Sequence, residues 1–431
     1  MQALRLLRAG RWVALFGYAF FIGMMAVGYY YNLTFVQFGL FDLGTRLIGM
    51  THRQVAVYMA FLALLTSLTA ILVGWQMMKR GWSTILPVKL RLAFGVVLAQ
   101  TFLTWAAPQL RSETALLVWI TVASLALGVG VPATFSMTAD FIPVRDRGYA
   151  AAFITALAYF FAAAFSTSWT IEEFSRQILW LMAAGSAGLG LLAFAPLPFI
   201  DHLAGLHERR GYGRGRLVHL DPATGRTRIS GRLLVLVVLL FGIFFIDSLG
   251  FLRLAETPVY FESAWQSPDA GVRLTIGLVH VLGALIAGVL YTSLSERYLF
   301  LWIFGIFAMV HLMYTFDIRT GIGDSPVLAM PILYSLAVSL YTVVNFAIWA
   351  DMSTPENISR NTALGVAISG WMATFMSTAI ALQWQEWGIP LEQHLNFVDA
   401  LAFVFFITVL LLVLWPYHPS QTPRKGNYEP Q

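Results

Sequence analysis

Apolar runs of about 18 residues or more recur along this sequence from residue 12 to beyond residue 400, and each is long enough to cross a hydrocarbon core of roughly 30 Å as an α-helix. Lipid offers no hydrogen-bond partners, so a spanning run must satisfy its backbone within itself. The fold class is therefore all-α, a polytopic membrane protein. Charges, prolines and polar clusters break the chain so as to predict twelve spans, at 12–36, 54–78, 85–107, 113–139, 148–170 and 177–199, then at 233–255, 273–294, 298–316, 326–350, 361–384 and 396–415. Composition agrees: 58% of residues are hydrophobic and 11% charged, against about 25% charged in soluble proteins.

The Lys and Arg residues test the helix count, because loops on the cytoplasmic side carry an excess of them. With twelve spans, 20 of the 27 fall on one side, leaving only Arg46, Arg53, Arg111, Arg176, Arg253, Arg273 and Arg319 on the other. The expectation is a cell-membrane protein with both termini cytoplasmic. The longest polar piece separates the first six spans from the last six. The predicted units are thus a bundle over 1–200, a basic cytoplasmic linker over 201–231, a second bundle over 232–416 and a tail over 417–431. Arg209, Arg210, Arg214 and Arg216 in the linker fit either a solvated loop or anionic headgroups, each worth about 1 kcal/mol near a surface.

The halves echo each other. Leu15-Phe16-Gly17 with Phe20-Phe21-Ile22 recurs as Leu240-Phe241-Gly242 with Phe244-Phe245-Ile246, and Ala139-Asp140 with Pro143 and Arg147 recurs as Ala350-Asp351 with Pro355 and Arg360. These matches predict two pseudo-symmetric six-helix bundles. The segment Ala139-Asp140-Phe141-Ile142-Pro143-Val144-Arg145-Asp146-Arg147-Gly148 resembles the loop between helices four and five of the major facilitator superfamily. Gly74-Trp75-Gln76-Met77-Met78-Lys79-Arg80-Gly81 is similar to that family's loop between helices two and three, with Met78 where the family usually has an aspartate. The resemblance covers essentially the whole chain. It implies a secondary transporter of alternating access, in which the halves rock about a central cavity and Asp140, Arg147, Asp351, Arg360, Gly74 and Gly81 form a cytoplasmic gate.

Charged groups within a span are costly to bury and usually functional. Asp247 lies about 21 Å along helix seven and His280 about 10 Å into helix eight from the opposite end, at 1.5 Å per residue. Similar depth would let them form a proton-exchanging pair. Arg253 and Glu256, three apart, share a helix face at the outer mouth. Tyr30 and Asn32 in helix one, and Tyr341 and Asn345 in helix ten, offer polar groups to an amphipathic ligand, although tyrosines near a helix end also serve as interfacial anchors.

Several chemistries are excluded. Without cysteine there is no disulfide, thiolate metal site or thiol nucleophile. The phosphate-binding, serine-hydrolase and zinc-protease motifs are missing, so neither an enzyme, a metal site nor a bound cofactor is expected. No nucleic-acid module occurs, and the basic excess is topological. The expected partners are the bilayer, a small, amphipathic or lipophilic substrate and protons, with the chain a monomer. A second reading keeps the fold but replaces transport by membrane-protein assembly, pigment delivery or sensing. Met78 favours that reading, whereas Asp247 and the complete 139–148 loop favour transport.

Overall fold

The computed structural model describes residues 11–165, 170–195, 198–209, 211–218, 231–255, 257–320 and 328–414. The tail at 417–431, most of the linker's second half and Glu256 lie outside these residues. Among the described residues the structure is helical, with no strand, and twelve helices are long and apolar enough to cross a membrane. They are α1 (Trp12–Leu47), α2 (His52–Lys79), α3 (Leu86–Gln109), α4 (Glu113–Phe141), α5 (Val144–Ala164) and α6 (Ile171–Phe194), followed by α7 (Gly231–Leu254), α8 (Ala270–Ser293), α9 (Glu296–Thr320), α10 (Ala329–Asp351), α11 (Ile358–Glu386) and α12 (Leu391–Leu414).

The packing repeats after six helices. In the first half α2 packs on α4, α3 on α4 and α6, and α1 on α5; in the second α8 packs on α10, α9 on α10 and α12, and α7 on α11. The seam between halves obeys the same symmetry, with α2 against α11 and α5 against α8. Small residues let these backbones approach, as expected where lipid supplies no hydrophobic drive between helices. A Cβ on Gly148 would lie 3.0 Å from the Gly288 carbonyl, one on Gly277 would lie 2.5 Å from Ala163, and one on Gly74 would lie 2.7 Å from the Ser359 carbonyl. Hydroxyls add to the α2–α11 seam, where Ser67 donates to the Ala367 carbonyl at 2.9 Å and Ser359 to the Gly74 carbonyl at 3.0 Å. Outward, α3, α6 and α12 present Phe102, Trp180 and Leu411, each more than half exposed, as a lipid-facing surface requires.

The largest departure from the predicted spans is α1, which continues to Leu47 with two stretches of wider, π-helical turn, Asn32–Gly39 and Leu43–Leu47. Charges that read as a loop in sequence are paired at its end: Arg46 donates to Asp42 at 2.7 and 2.8 Å and to Glu172 at 2.5 Å. The Asp42 carboxylate also accepts the Ile171 N–H at 2.8 Å, capping the start of α6, where an anion suits the helix dipole.

Candidate functional site

A cavity of about 240 Å³ lies between the halves, lined mainly by α1, α4, α7, α10 and α11. Along α1 it runs from Met24 across the change of helix type to Gln37. Asn32 stands at the change from α- to π-helix and lines the cavity, and such π-turns often occur at functional positions because they redirect side chains. Gly370 and Trp371, within the π-helical part of α11, line the facing wall.

Asp247 is the only carboxylate among the described lining residues, and no Lys or Arg is among them. It is half-buried, its open side being the cavity. Two tyrosines of α10 hold it: Tyr334 Oη donates to Oδ1 at 2.5 Å and to the Asp247 carbonyl at 3.0 Å, while Tyr341 Oη donates to Oδ2 at 2.6 Å. Spaced seven apart, the two occupy one face of α10 two turns from each other, which is why one carboxylate reaches both.

Aromatic rings form the rest of the chamber. Tyr29 and Tyr159 meet through their hydroxyls at 3.2 Å, Tyr29 packs edge-on to Phe346 with centroids 5.1 Å apart, and His280 stacks flat on Tyr159 at 4.0 Å. The direct Asp247–His280 pair expected from depth is not formed: His280 Nδ1 lies 3.1 Å from Ser339 Oγ, and among the described residues no hydrogen bond joins it to Asp247. Depth along two helices fixes height in the membrane but not rotation about each axis, and the rotation here turns His280 onto α5 and α10.

The other sequence candidates divide in the same way. Tyr341, Asn32 and Asn345 line the cavity, the Asn345 amide oxygen accepting the Trp349 indole N–H at 2.9 Å. Tyr30 does not; it is buried, its ring 6.4 Å from that of Phe161, and its neighbour Tyr29 lines the cavity instead. Arg253 is directed to the Ile389 carbonyl, 3.2 Å away, outside the cavity lining, and its expected partner Glu256 is outside the described residues.

On the side of the linker the cavity is closed by a layer of buried charge. Arg147 and Asp351 meet across the two halves at 3.1 Å with both side chains at 0% exposure, and Arg147 Nη1 also donates to the Ala350 carbonyl at 2.8 Å. Asp140, likewise fully buried, pairs with Lys89 of α3, and His207 Nδ1 lies 3.3 Å from it. The Asp140 carboxylate beside its ring holds the His207 imidazole above its ordinary 6.5. Arg360 is not part of this layer; its guanidinium reaches the neighbouring Asn361 Oδ1 at 3.0 and 3.2 Å. Gly74 allows the close α2–α11 contact, and Gly81, with a φ of 69°, takes the left-handed turn after α2 that glycine adopts at least cost.

Beside Arg147, Asp351 is also met by the linker. Residues 211–217 run as a strap between the halves: the Val144 N–H donates to the Gly211 carbonyl at 2.8 Å, Gly215 N–H to the Ser353 carbonyl at 2.8 Å and Leu217 N–H to the Asp351 carbonyl at 2.8 Å. Arg147 Nη2 donates to the Gly213 carbonyl at 2.7 Å, Arg216 pairs with Asp351 at 2.7 Å, and Tyr291 donates to the same carboxylate at 2.9 Å. Arg216 and the glycine backbone of this stretch are thus packed against the two halves, whereas Arg209 and Arg214 are exposed, as in a solvated loop. One sequence signal was present, the alternation Gly211, Gly213, Gly215, which marks a chain threaded where side chains do not fit: a Cβ on Gly215 would fall 2.2 Å from the Asp351 carbonyl oxygen. Lys89 and Tyr291 carry no such signal, since each looks like an ordinary residue of its helix.

No family profile matches the sequence, and no curated protein is similar to it in sequence. Solved structures do match. The proton:xylose symporter XylE of the major facilitator superfamily, bound to 6-bromo-6-deoxy-D-glucose, aligns at a TM-score of 0.58 with 13% identity, over 93% of this chain and 96% of its own. The human organic anion transporter MFSD10 aligns at 0.58 with 16% identity, over 93% and 99%. The alignments span both six-helix halves, and the chain is a multi-pass membrane protein with the fold of the major facilitator superfamily transporters.

Proposed function

We propose that the chain is a secondary transporter that moves a small amphipathic molecule by alternating access. The observation that carries this reading is the placement of an aromatic-lined cavity on the seam between two similar halves, with buried ion pairs and the linker strap on its linker side. Ion pairs, a strap of backbone hydrogen bonds and small-residue contacts can exchange partners as the halves rock. On this reading Asp140, Arg147 and Asp351 are the cytoplasmic gate, with Gly74 and Gly81 shaping the loop beside it. The linker and both termini face the cytoplasm, the cell membrane is the location and the monomer is the working unit. Asp247, the carboxylate in the cavity, is the residue through which protons would be coupled.

The test is transport by the purified protein in proteoliposomes, screened with labelled amphipathic compounds under an imposed pH gradient. Accumulation above equilibrium that collapses with the gradient supports coupled transport. Asp247→Asn is expected to lose accumulation against the gradient. Absence of both uptake and exchange for every compound that binds would sink the transport reading and favour a sensor or assembly role.

A further inference from the structure

We propose that the central cavity takes an organic cation, whose positive centre pairs with Asp247 while its apolar part rests against the aromatic walls. The inference rests on the reading of this cavity as the substrate site and concerns the charge of what enters it. The geometry at Asp247 suits an ionised carboxylate. Both oxygens accept tyrosine hydroxyls, at 2.5 and 2.6 Å, the range of charge-assisted O–H···O⁻ bonds. A hydroxyl on each oxygen stabilises the charged form of the acid.

That negative charge has no counter-charge in the chamber. The described lining holds no Lys or Arg, and nearby guanidinium groups are turned elsewhere: Arg253 toward the Ile389 carbonyl, and Arg273 toward the Ala163 and Ser267 carbonyls at 2.8 and 2.9 Å. The Lys89, Arg147 and Arg216 charges are spent on Asp140 and Asp351 at the linker side. An anion in a pocket of low dielectric is costly unless paired, and two hydroxyl dipoles compensate it only in part. The surrounding rings suit the same guest. Phe244, 4.7 Å from Tyr341, Phe251, Trp265, Tyr29 and Phe346 line the cavity, and aromatic faces attract cations, the more so where water is excluded. An anionic guest would meet Asp247 as a like charge with no Lys or Arg in the described lining to answer it, the one lining histidine, His280, being turned to Ser339 at 3.1 Å.

The experiment uses the full-length protein in detergent and three probes of nearly one shape: benzyltrimethylammonium, its neutral carbon isostere neopentylbenzene, and benzylsulfonate. Binding is read by thermal shift and equilibrium dialysis. The cation is expected to bind at least tenfold more tightly than the neutral isostere, and its affinity is expected to fall as acidification titrates the carboxylate it needs. The sulfonate is expected not to bind. Asp247→Asn should remove the cation's advantage, while Tyr341→Phe, which leaves the charge in place, should keep it. Should Asp247→Asn fail to fold, the charge series on the unmodified protein still decides. Equal binding of cation and isostere, preference for the sulfonate, or no binding of the cation at millimolar concentration overturns the proposal. Cation binding without any movement into proteoliposomes would instead count against the transport reading alone.

Discussion

Replacing Gly215 with alanine should loosen the closed linker side without touching the cavity. The new Cβ would sit 2.2 Å from the Asp351 carbonyl oxygen, 2.4 Å from its carbonyl carbon and 2.5 Å from the Ala350 oxygen. All three are backbone atoms at the end of α10 and cannot rotate away, so the strap must lift. Lifting forfeits the Gly215–Ser353 and Leu217–Asp351 hydrogen bonds, worth about 1 kcal/mol net each. It also weakens the Arg216–Asp351 pair, whose arginine is 31% exposed and which therefore adds no more than about 1 kcal/mol. The total, about 2–3 kcal/mol, corresponds to a roughly 30- to 150-fold shift in the balance between closed and open gate. Because the chain has no cysteine, Thr134→Cys places a unique thiol in the cavity wall. An impermeant maleimide added to inside-out vesicles should label it at least tenfold faster when Gly215→Ala is also present. Gly205→Ala, where an added Cβ meets nothing within 4 Å, serves as the control and should leave the rate unchanged. Identical rates in the Gly215→Ala and parent proteins, both folded, would refute the strap as a lock.

The buried Lys89–Asp140 pair predicts that Lys89→Met lowers the thermal unfolding temperature, because the buried carboxylate is left with only His207 beside it, while Lys89→Met with Asp140→Leu recovers most of the loss. His207 predicts a pH dependence of the gate. Its value is raised by Asp140 in the closed state, so the stabilisation it contributes is complete below about 6.5 and fades as pH rises through the raised value. The ratio of Thr134→Cys labelling rates with His207 to those with His207→Gln should therefore climb as pH increases above 6.5; a flat ratio would exclude His207 as the titrating group. For topology, a cysteine replacing Glu208, whose side chain is 79% exposed, should react with impermeant reagent in inside-out vesicles and not in intact cells. Ready labelling in intact cells would invert the proposed orientation.

The number of spans, their approximate positions and the repeat between halves were legible in the sequence because each depends on local composition. An apolar run of sufficient length has to be helical in lipid wherever it packs, and the duplicated Phe-rich and Ala-Asp segments lie at equivalent helices. The cost of burying a charge also singled out Asp247 before any geometry was known. Partnership was not legible, because it depends on rotation about helix axes and on the route of the linker. Adjacent Tyr29 and Tyr30 differ by one step of about 100° on α1, which puts one ring in the cavity and the other against Phe161. Asp247 and His280 share a depth and still choose different partners, Tyr334 with Tyr341 in one case and Ser339 with Tyr159 in the other. Arg360 matches Arg147 in the repeat, yet the charge that answers Asp351 beside Arg147 comes from Arg216. Sequence determined which groups lipid would force inward; the tertiary structure decided what each would meet there, since contacts between segments far apart in the chain leave no local pattern in it.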